Sequence, residues 1–139
     1  MIYLLDTNVV SELRKPRPHG AVAAWKRTVA AHQLAIPAVV LAEAQTGVER
    51  TRKQDPAKAL ELEIWIDNLA AYYEVVPADG QIFREWARLM HKRSLDLTAD
   101  ALIAATAKLT GMTVATRNVK DFESFGAQVF NPFTYKEIS

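Results

Sequence analysis

Three acids in this chain stand in apolar company. Asp6 ends the run Ile2-Tyr3-Leu4-Leu5, Glu43 sits within VVLAEA, and Asp100 lies in TADALIAATA. Most of the other acids, such as Glu49, Glu61, Asp67 and Glu85, fall among Lys and Arg on segments that read as solvated helix faces. Each of the three also has an ordinary use. Asp6 can close a turn after a strand, Glu43 can snorkel outward from the edge of a buried stripe, and Asp100 can complement a helix dipole from the first turn. A fourth segment, Thr116-Arg117-Asn118-Val119-Lys120-Asp121, can be a plain polar turn. Read jointly, they describe carboxylates delivered from strand ends and helix starts to one rim. Like charges that close repel and raise each other's pKa. A hard divalent cation removes that penalty: Mg²⁺ or Mn²⁺ takes one or two carboxylates, keeps several waters and leaves positions for phosphate oxygens. Metal-assisted phosphodiester hydrolysis is the chemistry that follows.

The elements that must position these acids can be read along the chain. Ile2–Leu5 is a short apolar run broken by Asp6-Thr7-Asn8, and so a buried strand. Val9–Arg14 reads as a short helix, Lys15–Gly20 as a loop, and Ala21–Ala31 as a helix anchored by Trp25. Leu34–Ile36 is a second strand, ended by Pro37, which suits the first turn of a helix running to Arg52 with a stripe at Val40, Ala44, Gly47 and Val48. Asp55-Pro56 opens another helix to Ala71, its apolar residues being Leu60, Leu62, Ile64, Trp65 and Leu69. Tyr73–Val76 is a strand, and Asp79–His91 a helix with Ile82, Trp86 and Met90 spaced by four. After a loop at Ser94–Thr98, Thr98 is expected to cap an apolar helix to Thr110 that Gly111 stops. On that helix Asp100, Ala104 and Ala107 share a face, and the small residues let another backbone approach beneath the carboxylate. Thr113–Ala115 and Gln128–Phe130 are strands, with Asn118–Phe122 a helical turn between them. Short strands alternating with helices predict a parallel sheet in an α/β layer fold. Function in such sheets collects at the carboxyl ends of the strands, where Asp6 and Thr116–Asn118 fall.

Composition narrows the classes. A chain of 139 residues, half hydrophobic, suits one domain over residues 1–139 with a core that needs no staples. With 17 Lys+Arg against 16 Asp+Glu, bulk charge does not signal nucleic-acid binding, so any polyanion site must be local. There is no cysteine, which excludes disulfides, thiolate metal sites and Cys nucleophiles. His19, His32 and His91 are scattered without paired spacing and receive no catalytic role. No apolar run approaches the ~18–20 residues of a membrane span, and MIYLL before Asp6 is too short for a signal-peptide core. Together these features predict a cytoplasmic protein without a membrane partner.

The blocks LLDTNVVSEL, VVLAEAQTGV, ADALIAATA and VATRNVKDFESFGAQVFNP, in that order, give the chain a specific likeness from Ile2 to about Pro132. It resembles the PIN-domain ribonucleases, and among them the VapC-type toxins of bacterial toxin–antitoxin pairs in the FitB-like branch. The resemblance implies a three-layer α/β/α fold around a five-stranded parallel sheet. It implies a Mg²⁺- or Mn²⁺-dependent endoribonuclease, a cognate antitoxin that covers the site, operator DNA bound only through the antitoxin complex, and a homodimer. Asp6, Glu43 and Asp100 match the family's three central acids, and Asn8 the polar residue that orients metal or water. Many relatives carry Asp where this chain has Asn118, so either Asn118 or Asp121 takes the fourth position. Thr116 falls where a hydroxyl can meet water or the scissile phosphate. Arg14, Lys15, Arg17, Arg117 and Lys120 form the expected phosphate-binding set for RNA.

Competing readings remain at this point. A haloacid-dehalogenase-like phosphatase also opens with an apolar strand and Asp, but needs a second Asp where Asn8 stands. A receiver domain wants an acidic pair that Asp6-Thr7 does not supply. A metal-free module that only binds a partner or operator DNA is the alternative of another class, and gains nothing from clustered charge.

Overall fold

A computed structural model describes residues 1–137. Five short strands build one parallel sheet: β1 (Tyr3–Leu5), β2 (Leu34–Pro37), β3 (Glu74–Val76), β4 (Thr113–Ala115) and β5 (Val129–Phe130), in the spatial order β3-β2-β1-β4-β5. Among the described residues seven α-helices connect them: α1 (Thr7–Arg14), α2 (Gly20–Lys26), α3 (Ala38–Arg52), α4 (Pro56–Tyr72), α5 (Gly80–Met90), α6 (Thr98–Thr110) and α7 (Val119–Ser124). Leu4, Leu5, Ala35, Ile36, Val114 and Ala115 are fully buried, as expected of central parallel strands covered on both faces. The result is a three-layer α/β/α arrangement with α3 along α4, and α5 along α6.

The strand order sets where the site falls. From β1 the chain steps to β2 and β3, then crosses back to pair β4 on the other side of β1. β1 and β4 therefore flank a topological switch point, where the connections diverge and leave a crevice at the carboxyl rim. Asp6 follows β1 and Thr116 follows β4, so both open into it. The order also differs from the 2-1-3-4-5 sheet of receiver domains.

Several local expectations shift, each for a physical reason. The helix at Ala21 ends at Lys26, because Thr28 turns back with both its hydroxyl and its N–H on the Trp25 carbonyl, at 2.7 and 2.9 Å. Pro37 is the last residue of β2 and the N-cap of α3, one place earlier than a first-turn proline. Thr98 does not cap α6. Ser94 caps a 3₁₀ turn at Leu95–Leu97, which runs into α6, and the Thr98 hydroxyl bonds back to Leu95. On α4 the buried positions are Ala59, Ile66 and Leu69, whereas Leu60 and Ile64 face outward. Gly111 does end α6, in the left-handed region at φ 71°, a conformation that costs glycine no Cβ clash. Along α6, Ala101, Ala104, Ala105 and Ala107 are all buried; their small side chains seat the helix deep in the core and bring Asp100 to the rim.

Candidate active site

Asp6 is the most constrained of the acids. It is 3% exposed and serves as N-cap of α1, its Oδ1 accepting from the Thr7 N–H at 2.8 Å. Its Oδ2 accepts from the Thr116 hydroxyl at 2.7 Å and from the Asn8 amide at 3.1 Å. Burial raises its pKa above the ordinary carboxylate range; the Thr116 and Thr7 donors resist that rise, and the charge of Glu43 adds to it. A buried carboxyl with three donors is satisfied as an anion yet still short of positive charge.

Asn8 and Thr116 tie two strand ends together. Asn8 Oδ1 accepts from the Arg117 N–H at 3.2 Å while its amide reaches Asp6. Thr116 is wholly buried, and its Oγ also accepts from the Asn118 N–H at 2.9 Å. Glu43, exposed near the start of α3, is held by the Thr7 hydroxyl at 2.6 Å. Thr7 is a positioning residue that sequence reasoning passed over; a hydroxyl directly after the first acid was the available signal. Asp100 stands half-buried in the first turn of α6, its pKa pushed up to about 6 by burial and then by the charges of Asp6, Asp121 and Glu43. Three carboxylates on other elements, Asp6, Asp121 and Glu43, thus act on Asp100 through their charge. Asn118 is exposed, N-caps α7 without a side-chain cap bond, and lines the same depression as Asp121.

The basic residues divide. Arg117 and Lys120 line a cavity of about 410 Å³ with Asp121. Arg14 lies over the Trp65 ring at 5.8 Å, in a separate groove of about 250 Å³ that runs between α1, α3 and α4 and includes Thr7 and Glu43. Lys15 is engaged instead by Glu12 at 2.9 Å, and Arg17 lies exposed in the loop before α2. Glu12 is a second residue missed from sequence: it is buried and also accepts from the His19 N–H at 2.6 Å, fastening that loop to α1. The Lys15 and His19 bonds hold its carboxyl below the usual range.

The donor set decides which cation would fit. It is oxygen only, with neither Cys nor His beside the acids, which suits a hard divalent cation and not a softer metal. Among the described residues, no three His, Asp or Glu side chains converge closely enough to enclose one ion by themselves.

Comparison with known proteins agrees with this geometry. Residues 3–127 match the family described as PIN domain. The chain belongs to the PIN-domain family. This PIN domain is 34% identical over 137 residues to Toxin FitB of Neisseria gonorrhoeae, covering 94% of this chain and 97% of that protein. It is 36% identical over 138 residues to VapC ribonuclease Y4jK of Sinorhizobium fredii, covering 94% and 96%. Among solved structures, FitAB bound to the IR36 DNA fragment superposes with a TM-score of 0.71 at 30% identity, over 98% of this chain and 99% of that one. Membership leaves the dehalogenase-like and receiver readings without support.

Proposed function

We propose that this PIN domain is the toxin of a toxin–antitoxin pair and acts as a divalent-metal-dependent endoribonuclease. The observation that carries the reading is the buried Asp6 at the β1–β4 switch point, held by Thr116 and Asn8, with Glu43 tied to the same helix start through Thr7. Relatives named as VapC ribonucleases and Toxin FitB support the substrate and the biological role.

Asp6, Asp100 and Glu43 are the residues that would hold Mg²⁺ or Mn²⁺, with Asp121 adding charge in place of the usual fourth Asp. When bound, such an ion lowers the pKa of water and neutralises charge that develops on the phosphate. The remaining work belongs to the chain. Asn8 and Thr116 keep Asp6 in one rotamer, Thr7 orients Glu43, and the Asn118 N–H stiffens the turn that follows β4. Arg117 and Lys120 supply positive charge beside Asp121 to position the RNA backbone.

The groove between α1, α3 and α4 suits the antitoxin. Val10, Val40, Leu62 and Trp65 give it apolar lining, and Glu43 gives it an acidic end. A partner segment with an apolar anchor and an Arg or Lys can fill it and pair the carboxylates in place of the metal. Operator DNA enters this reading only through that complex, and a homodimer is expected. The direct test is cleavage of single-stranded RNA by protein freed of partner. Cutting with Mg²⁺ or Mn²⁺ that stops in EDTA is expected; cutting that continues in EDTA overturns the metal mechanism.

A further inference from the structure

The cavity beside Asp121 holds two cations that the protein itself leaves unspent. Among the described residues neither Arg117 nor Lys120 forms an ion pair, although Asp121 lines the same cavity. Arg117 is nevertheless well placed. Its N–H donates to Asn8, which also donates to Asp6, so its backbone is two hydrogen bonds from the central acid. Its guanidinium carbon lies 3.8 Å from the centroid of the Phe133 ring, while the residue as a whole remains exposed.

Phe133 is braced in turn. Its N–H donates to Asn131 Oδ1 at 2.9 Å, and its ring meets that of His19 at 5.4 Å and 64°. His19 is held from both sides, by Glu12 on its N–H and by the Ala21 N–H on its Nδ1. The buried Glu12 thus steadies a chain of contacts that ends on Arg117.

A phosphate contact alone does not require an aromatic bed under the arginine, whereas stacking on a ring fixes the plane of the guanidinium. A guanidinium laid on a ring, with its other side toward solvent, is a flat cationic plate. Unpaired RNA bases stack on arginine planes and aromatic rings, and every base offers a π-face. Asn131 lines the same cavity, and because its cap bond uses Oδ1, its amide nitrogen keeps its donors for a base edge.

We propose that Arg117, laid on Phe133, forms the nucleobase subsite of this enzyme, stacking on a base next to the scissile phosphate. Lys120 meets the adjoining phosphate, and Asn131 reads the edge of the stacked base. The subsite rests on the ribonuclease reading above and adds to it the feature that chooses where RNA is cut.

The experiment uses the full chain carrying Asp6→Asn to prevent cleavage. Binding is measured by fluorescence anisotropy to single-stranded RNA decamers in which each base in turn is replaced by an abasic site. In the parent, abasic substitution at one position should weaken binding about 5- to 150-fold. With Arg117→Ala, and equally with Arg117→Lys, that position should lose its special penalty. Phe133→Leu should reduce it, and Asn131→Ala should reduce discrimination among the four bases there. Lys120→Ala should weaken all decamers alike and lower the salt slope by about 1. Cleavage-site preference of the wild-type Asp6 protein should relax in parallel with Arg117→Lys. An abasic profile unchanged by Arg117→Ala, or a uniform loss with the profile kept, overturns the subsite while leaving the nuclease intact. Failure of the wild type to cleave any RNA overturns both.

Discussion

At the residue scale, Asp6 carries the largest consequence. Asp6→Asn keeps the shape and the capping oxygen while removing the charge, so the fold should survive. RNA cleavage should fall at least about 100-fold, since even partners behind a metal ligand are worth about 10–100-fold. Near-full activity in a steady-state cleavage assay removes Asp6 from the site. Thr116→Val probes support instead of charge. It takes one donor from Asp6 and strands the Asn118 N–H, so denaturant unfolding should show a loss of about 1–3 kcal/mol. A Thr116→Ser control should restore most of it. Asp100 separates a dipole partner from a member of a repelling cluster. Its folded pKa of about 6 lies above the 3.8 of an unperturbed Asp, so the folded state binds more protons than the unfolded state between those values. Stability of the metal-free protein should therefore fall as pH rises through that window, and the penalty is fully present above it. In EDTA at pH 7, Asp100→Asn should melt higher than wild type, with the gap narrowing below pH 4. Millimolar Mg²⁺ or Mn²⁺ should raise the wild type more than the variant. A variant that melts lower at every pH, with no metal response in the wild type, makes Asp100 a helix-start acid only.

At the scale of elements, α6 shows how a small-residue face becomes a functional device. Ala104 is wholly buried, so Ala104→Leu overfills the contact and should cost about 1–3 kcal/mol. It should also depress cleavage beyond the loss of folded protein, because Asp100 sits one turn earlier on the same face. Leu109→Ala, on the half-exposed side, should shift stability by no more than about 0.5 kcal/mol. The two variants compared by denaturation and by kcat distinguish a seated helix from a merely apolar one. The elements that sequence periodicity placed well are those with one dominant face, such as α3 and α5. On α4 it was half right: Leu69 is buried and Leu62 and Trp65 pack against the core, but Leu60 and Ile64 face outward. A helix apolar nearly all round does not itself declare which side is inward.

At the scale of the molecule, the groove between α1, α3 and α4 should be separable from catalysis. Gly47 lines it, and a Cβ built there meets nothing within 4 Å. Gly47→Leu should therefore fold at least as well as wild type while filling part of the groove, without setting a cation one turn from Glu43. Affinity for the neutralising partner should drop by about tenfold or more, a difference of only 1.4 kcal/mol, with RNA cleavage retained. Calorimetric titration of the partner alongside a cleavage assay reads both. Unchanged partner affinity would place the antitoxin elsewhere. In cells, induction of the wild type alone should arrest growth, and Asp6→Asn should not.

The sequence by itself determined the α/β class, the strand ends that carry Asp6 and Thr116, and the four blocks that mark a PIN domain, because these depend on local hydrophobic runs and on residue order. It left Asn118 and Asp121, three residues apart, equally open for the fourth place. Only the folded turn after β4 brings Asp121 near enough for its charge to act on Asp100, on another helix. The partners of Thr7 and Glu12 were likewise not legible, since they lie on another helix or beyond a loop. The same holds for Arg117 on Phe133, sixteen residues apart in the chain. Side-chain pairing across the sheet rim is set by strand order, and strand order is a choice that only packing of the whole chain makes.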